Sequence, residues 1–297
     1  MTGTNSFGTI CAYLPADIRG AMAKHDRRMT ERLTEVRLYC GRGVALFERD
    51  SVRYLVGNGM TSERLSAVTV KVTAEHMKQV VSALCRYSFH SHEAELTDGW
   101  FVLENGVRAG VCGIFSHGGK GTVREASSVN FRVAREVKGC ADGIADRCFG
   151  KSILICGAVN SGKTTLLRDL CRQYGSRVRC TLVDERNEIS AVKNGVPTFD
   201  VGALTDVVIG RSRSDGIIGA VRTMSPRYIF CDETASESDF SAIEAAMGCG
   251  TKFAATIHAD SFNDLMKRKA AERILRAFDI AVFLSGTTVS EVRKLWS

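Results

Sequence analysis

The run Ser152-Ile153-Leu154-Ile155-Cys156-Gly157-Ala158-Val159-Asn160-Ser161-Gly162-Lys163-Thr164-Thr165-Leu166-Leu167 constrains this chain more than any other stretch. An apolar segment the length of a buried strand meets a glycine-bounded loop, and the loop opens into apolar residues at helical spacing. Gly157, Gly162, Lys163 and Thr164 satisfy G-x-x-x-x-G-K-[ST], a pattern in which each residue type has a task at a nucleotide. Glycine lets the backbone curl so that its N–H groups face phosphate oxygens. Lys163 sets a point charge against the β- and γ-phosphates, Thr164 offers its hydroxyl to Mg²⁺, and the helix start adds its positive dipole end. Ala158, Val159, Asn160, Ser161 and Thr165 complete the expected cradle. The bland alternative is a glycine turn that binds nothing, but the flanking strand and helix argue against it. Asn160 stands where such loops often carry glycine, and Asn tolerates a left-handed backbone better than most residues.

Around this loop the second half alternates strand-like and helix-like runs. Strands are expected at 152–156, 178–183, 228–231, 251–256 and 280–284, and helices at 164–173, 214–223, 239–248 and 262–276, with a loop region over 185–213. That alternation predicts a largely parallel sheet with helices on both faces, whose ligands sit at the carboxyl ends of the strands. The first half reads differently. Three β-like runs, 35–39, 43–47 and 52–56, precede a helix that Thr73 can cap, and Asn105-Gly106 suits a type I′ hairpin turn between two more strands. The expected class is therefore α/β, with a smaller α+β domain over 1–148 and a phosphate-loop domain over 149–297. Gly139 to Gly150 reads as the link.

Three further strand ends carry chemistry. Tyr228-Ile229-Phe230-Cys231 runs into Asp232-Glu233, where the first acid suits Mg²⁺ or its waters and the second suits polarising an attacking water. Val183 runs into Asp184-Glu185-Arg186-Asn187-Glu188 one strand earlier. General-base work needs a carboxylate in line with the γ-phosphate, and Glu185, Glu188 and Glu233 all qualify by position. Thr256-Ile257-His258 closes another strand, which would bring His258 to the γ-phosphate. Arg211, Arg213 and Arg222 could supply transition-state charge or merely line a helix. His90 and His92 have no partner at ligand spacing.

Composition excludes several classes. At 44% apolar and 25% charged residues the chain is globular, and no apolar stretch reaches the roughly 18 residues a membrane span needs. Asp17, Arg19, Lys24 and Asp26 interrupt any signal-like pattern, so a cytoplasmic protein is expected. Eleven cysteines are scattered without a C-x-x-C pair, which suits free buried thiols better than disulfides or zinc. The net charge of +7 favours an acidic partner without choosing among nucleotide, nucleic acid and anionic membrane.

Taken together, Gly157 to Thr165, Val183-Asp184-Glu185-Arg186, Asp200-Val201-Gly202, Met224-Ser225-Pro226, Cys231-Asp232-Glu233 and Thr256-Ile257-His258 resemble the sporulation members of the type II/IV secretion ATPase superfamily. In the first half Glu35-Val36-Arg37-Leu38, Arg108-Ala109-Gly110-Val111-Cys112-Gly113 and Ser127-Ser128-Val129-Asn130-Phe131-Arg132-Val133-Ala134-Arg135-Glu136 carry the same resemblance. It implies a RecA-like ATPase that uses ATP and Mg²⁺. It also implies a homo-oligomer, a hexameric ring at the cytoplasmic face of the mother-cell membrane, working with an integral-membrane platform protein. Such a ring would power the channel between mother cell and forespore. By the same resemblance nucleotide lies between the two domains, Arg132 and Arg135 contact it or a neighbour's γ-phosphate, Glu185 and Arg186 match the acidic motif, and His258 matches the histidine motif. Ala158, Val159, Asn160, Thr234 and Ala259 depart from the family's usual residues.

Two other readings compete with this one. A nucleic-acid motor of related fold would use the positive charge, but the sequence shows no basic groove interleaved with aromatic residues, and no nucleic acid is expected. A nucleotide-gated scaffold would bind ATP without useful turnover.

Overall fold

The computed structural model describes residues 3–24, 32–48, 51–116, 121, 123–133, 136–234 and 236–295. Contacts divide the chain into two units, Met1–Glu136 and Val137–Ser297.

The first unit is built on an antiparallel sheet of β1 (Glu35–Tyr39), β2 (Val44–Phe47), β3 (Val52–Leu55), β4 (Thr61–Ser62), β5 (Trp100–Val102), β6 (Arg108–Phe115) and β7 (Val123–Arg132), in the order β4-β3-β2-β1-β7-β6-β5. Strand β1 shows why it pairs this way: Val36 and Leu38 are fully buried while Glu35, Arg37 and Tyr39 are half-buried, the period-two pattern of a sheet with one covered face. Helices α1 (Gly3–Ala12), α2 (Ala16–Ala23), α3 (Ala74–Leu84) and α4 (Glu93–Asp98) accompany it. Helix α3 starts where Thr73 predicts, with a capping box completed by His76, and turns Met77, Val80, Val81 and Leu84 inward. The β5–β6 hairpin is present, and Asn105 and Gly106, both at positive φ as a type I′ turn requires, sit at its tip between Glu104 and Val107, whose N–H donates to the Glu104 carbonyl at 3.3 Å. Strand β7, in a stretch that sequence left without an assignment, pairs with both β1 and β6.

In the second unit β8 (Ile153–Gly157), β9 (Cys180–Val183), β10 (Thr205–Val208), β11 (Tyr228–Cys231), β12 (Lys252–His258), β13 (Ile280–Ser285) and β14 (Thr288–Lys294) form a sheet ordered β10-β9-β11-β12-β8-β13-β14. Every pairing is parallel except β13 with β14. Residues of β8 serve two cores: Ile153 and Ile155 pack with Leu167, Leu170 and Tyr174, while Leu154 and Cys156 pack with Phe240, Ile243 and Ile274. Helices α5 (Asp142–Cys148) and α6 (Lys163–Gly175) belong to the first of these cores, and α7 (Arg213–Met224), α8 (Glu237–Met247) and α10 (Ala271–Ala277) to the second. A sheet buried on both faces is what the continuous apolar strands demand.

Three stretches with an assignment from sequence fold differently from it. Strand β10 lies in the segment expected as loop; it is four residues long, at the sheet edge and only partly buried, so it carries little apolar signal. The expected helix over 262–276 is two helices, α9 (Phe262–Met266) and α10. Helix α5 lies where the glycine spacing suggested a link, and Ile144, Ala145 and Cys148 bury against the second unit's core. The division by contacts falls at 136/137.

Candidate functional site

Strand β8 is buried along its whole length and delivers Gly157 to the carboxyl edge of the sheet. A Cβ on Gly157 would lie 2.5 Å from Ser161 Oγ and 3.2 Å from Leu284 Cβ, so the loop closes over a position only glycine fits. Asn160 at φ 62° and Gly162 at φ 83° make the left-handed turns, which gives Asn160 the role its residue type allowed. Ser161 is 4% exposed and its hydroxyl has no hydrogen-bond partner. Helix α6 then begins at Lys163, whose ammonium donates to the carbonyls of Gly157 at 3.0 Å and Ala158 at 2.7 Å. The loop lysine thus lies folded over its own cradle.

The strand order brings β11 and β12 beside β8, and Asp232 is the hub of their ends. Its carboxylate accepts from Thr164 Oγ1 at 2.6 Å on one oxygen and from the Thr256 hydroxyl on the other. Glu233 N–H donates to Asp232 Oδ1 at 3.0 Å and to Thr256 Oγ1 at 2.8 Å. These bonds hold Glu233 at φ 49°, a left-handed conformation that is rare for a long side chain and is typical of sites where local strain is retained for use. Register pairs His258 directly with Gly157, so its backbone adjoins the loop; its side chain is exposed and its carbonyl accepts from the Arg268 guanidinium.

At the end of β9 the two acids part company. Asp184 is buried, and its carboxylate accepts from Glu188 N at 2.8 Å, Ile189 N at 3.0 Å, Ser190 N at 2.8 Å and Ser190 Oγ at 2.6 Å. That carboxylate shapes the following turn. Arg168 of α6 reinforces the same turn by donating to Ile189 O at 2.7 Å and Glu188 O at 2.8 Å while stacking on Phe199. Glu185, by contrast, reaches outward to Arg213 at 3.1 Å, and Arg186 lies 3.5 Å from Glu233. Glu185, Arg186, Glu188, Arg213, Asp232 and Glu233 line one small cavity.

The structure therefore gathers the loop, Asp232, Glu233, Glu185, Glu188 and the backbone of His258 at one sheet edge. Thr256, Arg213 and Arg168 join them, and sequence did not assign them these roles: Thr256 and Arg168 sit in plain strand and helix runs, and only the register exposes them. Arg213 is committed within its own unit, whereas Arg211 and Arg222 line an open cleft with Ser212 and Asp215. Arg132, in the first unit, ends β7 with 61% of its side chain exposed and lies 3.6 Å from Glu35; Arg135 falls outside the described residues. Behind the site, burial pushes the Cys156 thiol up to about 12 and the Cys231 thiol up to about 11, which leaves both inert. All eleven cysteines are free.

The donor set suits a nucleotide with Mg²⁺. Among the described residues no cluster of three or more His, Cys, Asp or Glu could hold a metal by itself. Magnesium needs less, because it usually takes one or two protein ligands and completes its shell with phosphate and water. The Thr164–Asp232 pair could supply those ligands, and the unpartnered Ser161 hydroxyl with the lysine above the loop could supply donors for phosphate. No described helix is long and apolar enough to cross a membrane.

The chain is a mixed α/β protein with two sheets, and its fold is similar to those of solved ATPases. It matches the ATPase DotB of Legionella pneumophila with a TM-score of 0.56 at 16% identity, over 86% of this chain and 74% of that one. It matches the pilus retraction motor PilT, whose structure holds ADP, with a TM-score of 0.59 at 15% identity, over 84% of this chain and 74% of that one. Sequence narrows this to a family. The family described as "Sporulation stage III, protein AA" matches residues 7–291, and the chain is 32% identical over 300 residues to Stage III sporulation protein AA of Bacillus subtilis (strain 168), covering 95% of this chain and 94% of that protein. The chain belongs to the sporulation stage III protein AA family.

Proposed function

We propose that this protein is a Mg²⁺-dependent ATPase with a RecA-like second domain. We further propose that it works as a hexameric ring on an integral-membrane platform protein at the mother-cell side, powering the channel to the forespore. The observation that carries the ATPase reading is the 2.6 Å bond from Thr164 to Asp232, which ties the first turn of the loop's helix to the acidic end of β11. Gly157 to Thr165 would hold the phosphates, with Lys163 leaving its carbonyl partners to meet them. Mg²⁺, held by Thr164 and Asp232 either directly or through water, would neutralise charge developing on the transferred phosphoryl group. Glu233 is the proposed base: it adjoins Asp232, and Arg186 is its exposed and therefore easily surrendered partner. His258 is proposed to sense the γ-phosphate, and Arg132 and Arg135 to serve nucleotide from a neighbouring copy.

The ATPase reading is tested by titrating a fluorescent ATP analogue into wild type and Lys163→Ala with and without Mg²⁺. Loss of a charge-assisted contact of about 1.5–3 kcal/mol predicts affinity weaker by about 10- to 100-fold in the variant. Equal affinity in both proteins would remove the loop from nucleotide binding. Sedimentation with a non-hydrolysable analogue tests the ring, and a monomer at all concentrations would contradict it.

A further inference from the structure

A cation in the first turn of a helix opposes the helix dipole, so an arginine placed there needs a compensating partner. Arg213 is the first residue of α7, which Ser212 caps, and only 14% of its side chain is exposed. It has two such partners. One guanidinium nitrogen donates to Asp239 at 2.9 Å, and Asp239 is itself 5% exposed. The other donates to Glu185 at 3.1 Å, while the buried Nε has no partner.

These partners lie on different sides of the site. Asp239 accepts from Ser236 N at 3.1 Å in the capping box that starts α8, just beyond the Asp232-Glu233 corner. Glu185 follows Asp184, whose carboxylate fixes the turn that Glu185 leaves. A single half-buried guanidinium therefore braces the end of β9 against the segment that follows β11. Of the acids that line the cavity with it, Glu185 and Glu233 are held very differently. Glu185, with 42% of its side chain exposed, is bonded to a half-buried cation that the buried Asp239 carboxylate keeps in place. Glu233 faces Arg186 across 3.5 Å with both side chains more than 60% exposed, a pair that water and salt loosen readily.

We propose that Arg213 is a positioning residue for the reaction. It locks the Glu185 carboxylate at the cavity wall as a fixed anchor, and so leaves Glu233 as the carboxylate free to activate water. This inference rests on the ATPase reading above. The Glu185–Arg213–Asp239 bridge also removes Arg213 from service to a neighbouring copy, a role its place in the sequence would equally allow.

The test is a double-mutant cycle read by steady-state phosphate release and by binding of a fluorescent ATP analogue. Arg213→Gln and Glu185→Gln are each expected to lower kcat by on the order of 10- to 100-fold with KM changed little, as misplacement of a positioned group does. In the Glu185→Gln background, Arg213→Gln is expected to add no more than about a twofold loss. Arg213→Lys is expected to restore part of kcat, because it keeps one charged bond. Melting temperatures, measured alongside, separate loss of fold from loss of position. Independent, multiplicative losses would overturn the proposal, as would full activity in Arg213→Gln. If wild type binds the analogue but releases no phosphate, the ATPase reading fails instead. The cycle is then read on affinity, where additive effects of the two substitutions would overturn the bridge.

Discussion

Asp184→Ala separates shape from chemistry at the acidic strand ends. In the folded protein the Asp184 carboxylate is buried and accepts from three backbone N–H groups and one hydroxyl, so its removal strands donors in a place where water can replace them only in part. Each stranded buried donor costs about 1–3 kcal/mol, and relaxation of the turn at the half-buried Glu188 returns some of that. A net loss of about 3–5 kcal/mol follows, a large share of the roughly 5–15 kcal/mol that stabilises an ordinary domain. For a unit of this size that lowers the melting temperature by on the order of 10 °C. Asp184→Asn keeps the shape and one acceptor, so a smaller drop of about 1–2 kcal/mol is expected. Calorimetry on both variants, with phosphate release measured well below the lower transition, checks the argument. A variant that melts within about 2 °C of wild type yet loses turnover would show that Asp184 acts in the chemistry, and the division between Asp184 and Glu185 drawn here would be wrong.

Other consequences follow from the same physics. Burial opposes ionisation of Asp169, but the Ala141 N–H and the Arg172 guanidinium outweigh it and hold the carboxyl below its ordinary range. Its stabilising contribution is therefore complete above the unfolded carboxyl value and is lost as pH falls through the lower folded value. Asp169→Asn should cost about 2–4 kcal/mol at neutral pH and flatten the acid limb of urea midpoints; an unchanged limb would refute this. Gly157→Ala places a methyl 2.5 Å from Ser161 Oγ, so the loop must shift, stability should drop by about 1–3 kcal/mol, and nucleotide affinity should fall with it. Alkylation of native protein at pH 8 should label the exposed Cys112 and Cys249 before Cys156, Cys231 and Cys171, whose thiols burial keeps protonated; early labelling of Cys156 would contradict that order.

Much of the second unit was legible because its five inner strands are largely apolar and its helices carry one apolar face. The phosphate-loop pattern adds fixed residue types at fixed spacing. What sequence could not supply was which strand lies beside which. The order β9-β11-β12-β8 alone places Thr256 on Asp232 and His258 beside Gly157, because those residues are far apart in the chain. Strand β14 escaped for a different reason: it is an edge strand, Thr288 to Glu291 are exposed, and its alternation has no apolar face to announce it. Asp184 and Glu185 looked equivalent in the sequence, and only burial and hydrogen bonding distinguish the buried one that shapes a turn from the exposed one that Arg213 holds.

The central claim is that the Asp232-Glu233 corner turns bound ATP over. It is tested most directly by single-turnover release of γ-phosphate from MgATP in wild type and Glu233→Gln, with bound nucleotide measured in the same samples. Because Glu233 reaches the site without holding the loop, the variant should bind MgATP about as well as wild type and release phosphate slower by on the order of 100-fold or more. Equal rates of release in the two proteins would contradict the account.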